Sequence, residues 1–174
     1  MNETIYYVDA DGRYLGGFSG VEPPEGAVQV PDAPGDAQQV WNGSGWSDPV
    51  IVPTSADVDA ERDRRIDAGM MFNGVMYQTR PDDRENILGM SQLAAMAIQG
   101  GATEGDLRWA DAEEDFEWIA ADNSKVPMDA HTVFALGKAA AARKLAHIRA
   151  GRTLKDLDSI PADYTDDKWW PADV

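Results

Sequence analysis

The side chains with the right types for chemistry are carboxylates, two histidines and a few aromatics, so their spacing decides what they can do. Asp111, Glu113, Glu114 and Asp115 form an acidic run whose oxygens suit a divalent cation or an acid/base pair. The run holds no histidine and no ligand spacing, and a solvated surface is the better reading. Asp9-Ala-Asp-Gly12 invites a calcium loop, which would need further oxygen donors at regular spacing and a bidentate Glu downstream. Those do not follow, and Asp and Gly are ordinary turn formers, so a turn is predicted. His131 and His147 lie 16 positions apart, far from the i, i+4 spacing of a helical metal pair. With no cysteine in the chain, no zinc or iron site is expected. Nucleophile-elbow, phosphate-loop and dinucleotide motifs are missing as well. The expectation is a protein that is not an enzyme, with no catalytic residue, metal or cofactor.

The aromatics suggest binding instead. Trp41 and Trp46 flank Asn42-Gly43 and could stack on a glycan, or fill the core of a small module that needs large side chains. The core reading is favoured because no polar cluster accompanies the pair. Tyr164, Trp169, Trp170 and Pro171 lie in a segment with too little periodicity for a helix. That segment either folds back on its own domain or docks on a partner as an aromatic anchor. The arginines Arg62, Arg64 and Arg65 could form an anion site, but the helix dipole and pairing with Asp63 and Asp67 account for them.

Positioning these groups requires an α+β protein: a small N-terminal β module followed by a β-hairpin-plus-helices domain. The central stretch is Gly69-Met-Met-Phe-Asn-Gly-Val-Met-Tyr77, because Asn-Gly between short apolar runs is the strongest local hairpin signal. Thr54 to Asp57 fits a capping box ahead of a charged helix that Gly69 ends. Pro81 opens a second helix that keeps its apolar period to Gly100-Gly101. Methionines through this region are assigned to the core. Phe116 to Ala120 and Val126 read as a further hairpin. Asp129 caps the longest helix, expected to run from Ala130 to about Ala150 with Gly151 as its stop. Its predicted buried face is Val133, Phe134, Gly137, Ala141, Leu145 and Ile148, with Lys138 and Arg149 opposite. Before residue 48, strands are predicted at Thr4 to Val8, Arg13 to Phe18 and Ala27 to Val30, with a third ribbon across Gln38 to Ser47. The predicted organisation is thus a β-rich module at 1–48, an extended linker at 49–55, the α+β domain at 56–160 and an extended tail at 161–174.

The chain has 174 residues with 31 acidic and 15 basic side chains, a net charge of −16. Such a surface repels phosphate backbones and anionic lipid, so nucleic acid and membrane insertion are not expected. No apolar run approaches the ~20 residues of a membrane span, and the start lacks a basic region ahead of an apolar one. Synthesis in a cytoplasm without export is predicted.

The charged helix with Glu61-Arg-Asp-Arg-Arg65, the Gly69 to Tyr77 hairpin, the helix carrying Asn86 to Gln92, Phe116-Glu-Trp-Ile with Asp122-Asn123, and the long helix from Met128 to Ile148 together resemble a domain of unknown function that recurs in tail proteins of tailed bacteriophages. The resemblance spans about residues 57–160. The N-terminal part, with Ile5-Tyr-Tyr, Asp11-Gly12, a proline-rich break and the Trp41/Trp46 ribbon, is similar to short β modules at the start of tail-fibre and fibre-assembly proteins. The resemblance implies a virion tail protein acting by contacts with fibre, baseplate or tail-tip subunits, as a homo-oligomer in a symmetric assembly. A fibre-assembly chaperone not retained in the virion and a host-glycan-binding module are the alternatives. It implies no catalytic or binding residues, and the Trp169/Trp170 segment lies outside it.

Overall fold

A local β signal opens the chain. Ile5–Val8 (β1), Tyr14–Phe18 (β2) and Val28–Val30 (β3) form an antiparallel sheet in the order β2-β1-β3. The computed structural model describes residues 3–49 and 52–172 and divides into two units, Met1–Val52 and Pro53–Val174. In the first unit, Asp9 is a turn former: its carboxylate accepts from the amides of Asp11 and Arg13, each at 2.9 Å. Gly12 has φ +78°, and a Cβ there would overlap the Trp41 carbonyl. The predicted ribbon across 38–47 reduces to two isolated bridges, Arg13↔Val40 and Trp41↔Trp46. Side chains explain the loss: the Gly45 amide donates to the Asn42 side-chain oxygen and the Val40 amide to the Ser47 hydroxyl, in place of the facing backbone carbonyls. The predicted linker includes Val50 and Ile51, which lie outside the described residues.

The second unit follows its capping signals. Thr54 caps Ser55–Asp67 (α1) in a reciprocal box with Asp57. Met70–Phe72 (β4) and Val75–Tyr77 (β5) pair around Asn73 and Gly74, whose φ values of 50° and 79° are those a type I′ turn demands. Pro81–Gln99 (α2) begins with proline in its first turn. A loop then leads to the hairpin of Glu117–Ile119 (β6) and Lys125–Pro127 (β7), and Ala130–Lys155 (α3) follows its Asp129 cap. The main core gathers Met70, Tyr77, Met128, Val133 and Leu136 between the hairpins and α2/α3. Trp109 closes it beside Phe116 and donates its indole N–H to the Met128 carbonyl at 2.9 Å.

Three expectations need correction here. Gly151 does not stop α3, which continues to Lys155. A Cβ at Gly151 would lie 3.6 Å from Trp170 and 3.7 Å from Arg62, so this glycine serves close packing. The buried stripe of α3 is Ala130, Val133, Leu136, His147, Gly151 and Leu154, whereas Phe134, Leu145 and Ile148 are 38%, 46% and 41% exposed. At about 100° per residue the exposed set lies about a third of a turn from the buried one. Alanines and Gly137 border both, so the apolar arc is wider than one interface and tertiary packing selects among its parts. The methionines also divide: Met70 and Met128 are buried, but Met71, Met76 and Met96 are exposed.

Candidate functional site

The aromatic C-terminal segment is part of the fold. The predicted extended tail instead makes successive turns and a 3-10 turn at Asp167–Trp169. Trp170 is 6% exposed and packs with Val58 of α1 and Leu154 of α3, while Trp169 and Tyr164 lie half-buried against the same cluster. Its indole donates to the Tyr164 carbonyl at 2.8 Å, and its ring stacks on the buried His147 at 6.3 Å and 22°. Arg65 reaches over the Trp170 ring at 5.3 Å, pairs with Glu61 at 2.6 Å, and donates to the Thr165 carbonyl at 2.7 Å. Trp169 donates to Asp163 at 3.0 Å, and Pro171 is half-buried. Among the predicted partner-binding residues Trp170 is therefore withdrawn from the surface, because its apolar area and its N–H are already used.

The predicted anion cluster is likewise tied down. Arg62 pairs with Asp59 and Asp63, Arg64 and Arg65 with Glu61, and Asp67 instead pairs with Arg84 of α2. Hydrogen bonds from Arg64 and then Arg65 hold the Glu61 carboxyl below its ordinary value, against the opposing push of burial. The carbonyls at the end of α1 are met by the Thr79 hydroxyl, which donates to Ile66 at 2.6 Å, and by Arg143, which donates to Arg65 at 2.8 Å.

Trp41 and Trp46 meet edge to face at 5.5 Å, and Tyr14 packs on Trp46 at 6.0 Å. Both are half-buried, and Trp46 donates to Asp32 at 3.0 Å. Within the acidic run Asp111 accepts from the Glu113 amide at 2.8 Å and Asp115 pairs with Arg108 at 2.9 Å. Among the described residues no group of three or more His, Cys, Asp or Glu is placed to hold a metal ion, and no helix is long and apolar enough to cross a membrane.

The surface the sequence reading missed lies between α2 and α3. A groove of about 390 Å³ is lined by Leu88, Ser91, Gly137, Ala140, Ala141 and Lys144, with Pro81, Arg84 and Glu85 at its α2 end. Its floor is made of small residues, Ser91, Gly137, Ala140 and Ala141, which leave the space between the helices open. A Cβ at Gly137 would come within 2.5 Å of Ser91 Cβ, so only glycine lets the helices approach this closely. Leu88 is 59% exposed on one rim. On α3 the exposed Phe134, Leu145 and Ile148 lie on the side adjoining the groove. Lys138, Lys144 and Arg149 are exposed around them and have no carboxylate partner among the described residues. Lys138 sits 5.9 Å from the Phe134 ring. Ten other basic side chains in the described residues each pair with a carboxylate. The signal was in the sequence as an apolar arc on α3 too wide for a single contact.

A small β unit and a hairpin-plus-helices unit thus define an α+β protein, and its α2/α3 pair leaves Leu88, Phe134, Leu145 and Ile148 exposed beside a groove. Residues 52–168 match the family described as Domain of unknown function (DUF4376). The chain belongs to this family. No curated protein and no solved structure matches it.

Proposed function

We propose that the protein is a non-enzymatic component of a bacteriophage tail, joining or decorating the fibre, baseplate or tail tip through protein–protein contacts. The observation that carries this reading is the α2/α3 face: exposed Leu88, Phe134, Leu145 and Ile148 beside a groove floored by small residues, ringed by Lys138, Lys144 and Arg149, which have no carboxylate partner among the described residues. Apolar surface gathered next to a preformed groove is the kind of surface that binds another protein. The setting comes from the likeness of residues 57–160 and of the N-terminal module to tail proteins. In this reading the helical unit supplies one contact, the β unit another, and repetition in a symmetric tail strengthens each. Mass spectrometry of washed virions tests it. The protein is expected among the particle's tail proteins; its absence there, with a fibre-bound form in infected cells, would make it an assembly chaperone instead.

A further inference from the structure

Ser91 meets Gly137, while the start of α2 shares the groove with Ala141 and Lys144. The two helices therefore run antiparallel, and the acids at the start of α2 stand level with the cations in the second half of α3. Asp82 and Glu85 are exposed there beside the exposed knob of Leu88. The face consequently carries both a knob and a hole, and both signs of charge, side by side at the same height.

We infer that this face binds a second copy of the chain, forming a four-helix dimer about a two-fold axis parallel to α2 and α3. Such an axis preserves height along the helices, so α3 of one copy packs on α2 of the other. Leu88 of the second copy then meets Ala141 and Leu145, and Glu85 of the second copy meets Lys144. Each match occurs twice, as an isologous contact requires. Every helix keeps antiparallel neighbours, the usual arrangement of a four-helix bundle. Across the interface the attraction comes from acids and cations of different copies, so a chain of net charge −16 can still self-associate here. Two helices side by side, about 28 Å long and about 20 Å across, present on the order of 600 Å². That approaches the about 800 Å² per partner of a standard interface.

The proposal takes up the reading of this face as an interaction surface and names its occupant. Its test is the molar mass of the full chain by light scattering across a concentration series, for the wild type and for Lys144→Glu, Glu85→Lys and the double variant. Both residues sit on the surface, and circular dichroism melting checks that each variant folds. The wild type is expected at twice 18.9 kDa. Either single reversal sets like charges against each other at two symmetric positions and weakens dimerisation about tenfold or more. The double variant restores it. A wild type that stays monomeric overturns the inference, as does a dimer that the single reversals leave unmoved. Neither outcome bears on the tail reading, which the virion composition decides independently.

Discussion

The Trp170 clasp and the α2/α3 face are built from similar groups and differ in whether those groups have partners. In the clasp an aromatic ring is covered by Val58, Leu154 and His147, and the arginine above it is committed to Glu61, Asp167 and a backbone carbonyl. On the face, Phe134, Leu145, Ile148 and Leu88 remain in water, and Lys138, Lys144 and Arg149 have no carboxylate partner among the described residues. Composition alone does not distinguish an anchor for a partner from a plug for the core. What distinguishes them is whether the chain can satisfy the group itself, and it does so only at the clasp.

The strongest way to break this contrast is Trp170→Ala. Removing a buried indole forfeits its packing on α1 and α3 and leaves the Tyr164 carbonyl without its donor, at an expected cost of about 3–5 kcal/mol in urea denaturation. A loss below about 1 kcal/mol would mean the segment merely rests on the surface. The floor of the face comes next. Gly137→Val drives a branched side chain into Ser91, and overpacking of this kind costs about 1–3 kcal/mol. The same measurement checks it.

Acid sharpens the account of Arg65 and its partner. Glu61 is held below its ordinary value of 4.5 by hydrogen bonds from Arg64 and Arg65. A carboxyl lowered in the folded state adds stability that is fully present above its unfolded value and is lost as pH falls through the folded one. The unfolding midpoint should therefore drop below pH 4.5, and Glu61→Gln, which cannot titrate there, should show a shallower acid limb. The smallest effect belongs to Leu145→Ser on the open face. Its stability is expected to stay within about 0.5 kcal/mol of wild type, while dimerisation weakens. A large loss of stability would return Leu145 to the core.

Local chemistry was the legible part of the fold. Asn73-Gly74, the Thr54/Asp57 box, Pro81 and Asp129 act through neighbouring residues, and each stands where its chemistry places it. Features set by distant partners were not legible. Gly151 reads as a helix stop until Arg62 and Trp170 are seen against it, more than fifteen positions away in either direction. The apolar arc of α3 was visible, but choosing its buried third required knowing where α2 and the hairpins pack, since Ala140 and Ala141 suit either side. For the same reason the Trp pair left folding back and partner docking open, because Val58 and Arg65, which receive Trp170, lie more than a hundred positions earlier.

The most direct test of the claim that the aromatic segment belongs to the fold is hydrogen exchange at the Trp170 indole N–H in the intact protein, followed by NMR. Bonded to the Tyr164 carbonyl at 2.8 Å and covered by α1 and α3, it should exchange as slowly as the core amides of α3. Exchange at the rate of an unstructured peptide would contradict the account and return Trp170 to the surface as an anchor for another protein.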